Sequence, residues 1–241
     1  MLSADVLAME ARYNVSHALE IKDILLADAV LTLAFTITLS GGIFGIAGST
    51  SRAAQLIIEL LPISFIGVSL SFVLHELMHK FAAQRFGAFA AFRTSTNGLA
   101  ITLITSLFGF LLGIPGATVI YTNSFTKREN GIVSLAGPLT NFAVFAVFAA
   151  ALILLHPAAQ SYMGFALDFI MFISILLAFF NMLPIFPLDG SKVLAWNPGV
   201  YAATMGTIFV LILFTRLIPI SSIIFMIIIA AMLSLFYRRM F

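Results

Sequence analysis

Cysteine is absent from the 241 residues, so disulfides, thiolate metal sites and a cysteine nucleophile are all excluded. Any metal must be held by histidine and carboxylate. Charge is nearly as scarce: Lys, Arg, Asp and Glu make up 9% of the chain against 61% hydrophobic residues. With a mean hydropathy of +1.12, that balance excludes an ordinary soluble domain. The formal charge of +2 is small and scattered and gives no basis for a nucleic-acid partner. The N-terminus lacks the form of a cleaved signal, because Asp5, Glu10 and Arg12 interrupt it and the first long apolar run starts near Ile24. Residues 1–23 therefore read as an N-terminal cytoplasmic segment and residues 24–241 as a membrane domain, with a core at 54–192 and a C-terminal two-helix segment at 199–237.

What is present is a series of apolar runs long enough to cross a bilayer: 24–48, 56–82, 131–155 and 162–186, then roughly 200–215 and 217–236. The expected class is an all-α polytopic membrane protein with about six transmembrane helices. Residues 98–122 are apolar too, but Gly109, Gly113, Pro115 and Gly116 break them, and Ala117 to Tyr121 is β-branched and strand-like. This piece is expected to be re-entrant or membrane-associated rather than spanning. Charge supports that reading. With the N-terminus in the cytoplasm and 98–122 not crossing, ten of the twelve Lys and Arg lie inside and only Arg52 and Arg216 outside, whereas a full crossing splits them six and six. Both termini are then cytoplasmic, most simply in the cell membrane.

His75-Glu76-Leu77-Met78-His79 stands at the end of the second run. On a helix His75 and His79 are one turn apart and share a face, so both imidazoles reach one zinc while Glu76 contacts its water. A chance match to this pattern arises on the order of once in a thousand chains of such composition. Its burial in a membrane run sharpens the point, since ionisable groups in hydrocarbon cost several kcal/mol and persist mainly for function.

A second motif, Asn181-Met182-Leu183-Pro184-Ile185-Phe186-Pro187-Leu188-Asp189-Gly190, closes the run from Tyr162. Two prolines stop a helix and free backbone carbonyls, which at membrane depth implies neighbouring protein or a watery cavity. Asp189 can complete a His, His, Asp set that leaves a fourth zinc position open, with Gly190 turning the chain away after it. The alternative is that Asp189 caps the next helix before Ser191-Lys192. Asp189 and the histidines end parallel helices if 131–155 crosses between them and 98–122 does not, so the metal set and the charge count require the same topology.

Together the two motifs resemble the site-2 protease family of intramembrane zinc metalloproteases, and Ala136-Gly137-Pro138-Leu139-Thr140-Asn141 is a third similar feature, its small residues suited to close helix packing. The resemblance covers roughly Ser71 to Lys192. It implies one zinc per chain on His75, His79 and Asp189, a centre toward the cytoplasmic side, Glu76 as general base, and Asn181 as a residue holding substrate or stabilising the oxyanion. It also implies cleavage of peptide bonds within or near transmembrane segments of membrane proteins, so the partners are such a substrate and the lipid bilayer. The competing reading is a membrane transporter or channel whose metal is cargo. Against it, transport gives no reason for a glutamate beside the first of two histidines. A membrane metalloprotease with a glutamate third ligand is disfavoured because Glu129 is the only glutamate after Glu76.

Overall fold

The computed structural model describes residues 4–48, 50–113, 115–121, 125–158 and 160–240. Helices dominate, as expected where every backbone group must be satisfied within the chain. In order they are α1 Ala4–Leu39, α2 Gly42–Gly48, α3 Thr50–Val68, a π turn Ser69–Val73, α4 Leu74–Arg85, β1 Phe89–Thr94, α5 Thr96–Leu107, β2 Gly116–Tyr121, α6 Lys127–Leu155, α7 Tyr162–Asn181, α8 Asp189–Trp196, α9 Pro198–Thr215 and α10 Ile220–Met240.

Four of the described helices are long and apolar enough to cross a membrane: Ala54–Arg85, Lys127–Leu155, Tyr162–Asn181 and Pro198–Thr215. A fifth arises if His17–Leu39 and Gly42–Gly48 form one span, although they are bent by 59°. These are the helices of a membrane protein, but the described residues stop short of the six spans expected. The first apolar run breaks because Gly41 and Gly42 take φ of +85° and +64°, which ends α1. The last counts only as the shorter apolar helix Ile220–Ile229.

The chain forms two compact units. The first comprises Met1–Val68 and Phe89–Tyr121. In it α1 packs on α3, α5 and β1, and the β-like element expected near 98–122 is one strand of a small two-stranded sheet. β1 and β2 pair antiparallel from Phe89 opposite Tyr121 to Thr94 opposite Gly116. The chain between them therefore leaves and returns at one place, and α5, with 12 residues, is about 18 Å long against a hydrocarbon core of about 30 Å. The expected strand at 117–121 exists; its partner β1, short and carrying Arg93, was not foreseen. Acidic residues of α1 hold β1: Glu20 Oε1 accepts from the Phe92 amide at 3.1 Å, and Asp23 takes the Thr94 hydroxyl at 3.1 Å and Arg93 at 3.4 Å.

The second unit comprises Ser69–Ala88 and Thr122–Phe241. α6 is its central helix and packs on α4, α7 and α8. Thr126 and Glu129 form a capping box at its start: the Glu129 amide donates to Thr126 Oγ1 at 3.2 Å and the Thr126 amide to Glu129 Oε2 at 2.8 Å. The one later glutamate is thus engaged at a helix end. Phe145, Ile175, Phe179, Met182, Val193 and Ile208 are fully or nearly fully buried and form the core joining α6, α7, α8 and α9.

Candidate metal centre

α4 carries His75 and His79 one turn apart, and both are buried, at 2% and 7% exposure. The Pro184 and Pro187 segment stops α7 at Asn181, and the chain restarts at α8 with Asp189 as its first residue. α8 seats on α6 with the Trp196 indole against Gly131, where a Cβ would meet Trp196 Cδ2 at 2.7 Å. Gly190 sits so close to the Met182 and Leu183 carbonyls that a Cβ would overlap them. Glycine is needed there for close approach to the end of α7, rather than for the sharp turn its sequence position suggested.

These elements bring three donor atoms together. His75 Nε2 and His79 Nε2 are 3.0 Å apart, and Asp189 Oδ2 is 3.1 Å from His79 Nε2 and 3.6 Å from His75 Nε2. A tetrahedral zinc with bonds of about 2.0–2.1 Å needs donor separations of roughly 3.3–3.4 Å, so the spacing suits it. The space suits it as well: a Cβ on Gly137 of α6 would stand 2.5 Å from His79 Nε2 and 2.6 Å from His75 Nε2, so only glycine leaves the region beside both nitrogens open. Asp189 does not cap the following helix, since α8 has no side-chain cap at its N-terminus.

The opposite ring nitrogens are engaged. His79 Nδ1 donates to the Val133 carbonyl at 2.8 Å, and His75 Nδ1 faces Asn141 Oδ1 at 2.9 Å. The Nε2 lone pairs are thereby turned toward each other and toward a carboxylate, an arrangement that draws positive charge between the three groups. Asp189 Oδ2 is the carboxylate oxygen that meets both of them. Its other oxygen, Oδ1, lies 3.6 Å from Lys192 Nζ.

Glu76 follows His75 on α4 and is half-buried; Asn181 ends α7 and is half-buried. What supports the three donors was not legible in the sequence. Asn141 and Gly137 lie in the Ala136-Gly137-Pro138-Leu139-Thr140-Asn141 stretch, where small residues suggested packing only. Lys192 was visible three residues after Asp189, and the Val133 carbonyl carries no side-chain signal.

No family model matches the chain. Relatives of the chain bear the name "Putative zinc metalloprotease". MJ0611 of Methanocaldococcus jannaschii is 44% identical over 141 residues, 58% of this chain and 73% of the relative. The chain belongs to the zinc metalloprotease family. Rip2 of Mycobacterium tuberculosis is 30% identical over 62% of this chain and 66% of its own length. YwhC of Bacillus subtilis is 30% identical over 60% and 74% respectively. A zinc site agrees with the family and with the donor set of His75, His79 and Asp189.

Proposed function

We propose that the chain is an intramembrane zinc endopeptidase of the site-2 protease kind, hydrolysing peptide bonds within or near transmembrane segments of membrane proteins. The observation that carries this reading is the meeting of His75, His79 and Asp189 at the end of an apolar helix that carries Glu76 beside the first ligand. His75, His79 and Asp189 would hold the zinc, which would supply Lewis acidity toward the scissile carbonyl and its water.

The residues of the chain do the rest. Glu76 accepts the proton of the attacking water and returns it to the leaving amide nitrogen. Asn181 offers an amide N–H to the oxyanion or to the substrate backbone. A transmembrane helix satisfies its own backbone, so the substrate unwinds locally before water can attack. In the cell membrane both termini face the cytoplasm and the centre lies toward that side, the orientation that puts ten of the twelve Lys and Arg inside. Six crossings fit the same orientation if α1 with α2, and α10, each span.

The test is cleavage of a single-span model substrate by the detergent-purified chain, with and without a zinc chelator, alongside elemental analysis. Chelator-sensitive cleavage at about one zinc per chain is the expected result. Bound zinc that exchanges across vesicles, without cleavage of any helix tried, would favour the transporter instead.

A further inference from the structure

His75 takes its orientation from α7 through Asn141. Ser71, Asn141 and Ser174 are completely buried and His75 nearly so, and donor and acceptor bookkeeping sets the direction of every bond among them. The Ser174 carbonyl only accepts, so Asn141 Nδ2 donates to it, at 3.1 Å. That leaves Asn141 Oδ1 turned to His75 Nδ1, at 2.9 Å, where it can only accept. Nδ1 therefore carries the hydrogen, and in the neutral imidazole Nε2 is left bare, the form that binds a metal. A flipped amide would set an oxygen against the Ser174 carbonyl and an NH2 against the imidazole N–H, so the flip is forbidden.

A second thread ends on the same residue of α7. The Ser174 hydroxyl donates to the Ile170 carbonyl at 2.9 Å, so its oxygen accepts from Ser71 at 2.7 Å. Ser71 lies in the π turn Ser69–Val73, a feature that changes which faces a helix presents and is frequent beside functional sites. From one helix, Ser71 then addresses α7 while His75 addresses α6.

We infer that Asn141 is the positioning residue of His75, holding it in the Nδ1–H tautomer so that Nε2 faces the metal, with Ser174 anchoring both Asn141 and the π turn. The inference rests on the zinc-site reading above, and its test separates the two. Zinc affinity is measured by competition with a chromophoric chelator on the full detergent-purified chain, unmodified and with Asn141→Leu or Asn141→Asp, together with the absorption spectrum of the cobalt-substituted forms. Leucine keeps the size and removes the acceptor. A protonated aspartate can donate to Ser174 and still accept from His75.

Asn141→Leu is expected to bind zinc about 10–100-fold more weakly and to alter the cobalt spectrum, while Asn141→Asp stays within about threefold of the unmodified chain with its spectrum retained. Leucine binding as tightly as asparagine, or aspartate as weakly as leucine, would overturn the inference. An unmodified chain that binds no zinc would instead sink the metal-centre reading. Should the leucine variant not fold, the zinc-loaded unmodified chain decides: the His75 Nδ1 proton is expected to exchange slowly by nitrogen-edited NMR, and fast exchange would contradict a fixed bond to Asn141.

Discussion

Lys192 Nζ lies 3.6 Å from Asp189 Oδ1, the oxygen turned away from the histidines, while Oδ2 is the one that meets them. The two oxygens of one carboxylate are thus divided between a cation of the chain and the histidine pair. Lys192→Met is expected to weaken zinc binding by about tenfold and Lys192→Arg to restore most of it. Lys192 is one-third exposed, so the effect should shrink as salt is raised. Chelator competition at low and high ionic strength measures both.

Gly137→Ala should remove the metal outright. The added methyl meets both imidazoles, and alanine is at least as good a helix former as glycine, so α6 itself gains about 1 kcal/mol of propensity. Zinc content falling to background with unchanged circular dichroism is the expected pair of results. A variant that keeps full zinc would mean the rings move aside and the open space beside them is not required.

Glu76→Gln should keep zinc and lose turnover. Glutamine preserves the shape and cannot take a proton, so cleavage of a single-span substrate should fall by roughly 10²- to 10⁴-fold. Full activity in the purified variant would remove Glu76 from the proposed chemistry.

Removal of the metal should be reversible and should loosen the second unit, because three electron-rich groups are then left facing one another. Added zinc at about 100 times its Kd should stabilise the folded chain by about 2.7 kcal/mol. Thermal unfolding in detergent, with chelator and then with zinc restored, reads this directly; a Tm indifferent to zinc would argue against binding at the buried centre.

In the first unit, Glu20→Ala removes the carboxylate oxygen that accepts from the buried Phe92 amide, at a cost of about 1–3 kcal/mol. Hydrogen exchange at Phe92 should accelerate, with no change in zinc affinity.

Much of this was legible from local pattern. His75 and His79 share a face because a helix repeats every 3.6 residues, and the Pro184 and Pro187 segment stops α7 because proline cannot continue it. Asp189 was legible only as one of two possibilities, ligand or cap. Its place beside both histidines depends on the seating of α8 on α6, where Trp196 meets Gly131. The break between α1 and α2 was hidden because Gly41 and Gly42 lie inside an apolar run, and apolarity says nothing about φ. The strand β1 was hidden because pairing is a property of two segments.

By itself the sequence determined the membrane class, the absence of thiolate chemistry, and the residue types able to hold a metal. Each follows from composition or from spacing along one element. Only the tertiary structure decided which atoms meet: Nε2 rather than Nδ1, Oδ2 rather than Oδ1, and Asn141, Gly137, the Val133 carbonyl and Lys192 as their supports. Those contacts join residues as far as 114 positions apart, between His75 and Asp189, and a contact across helices depends on packing that no local periodicity encodes.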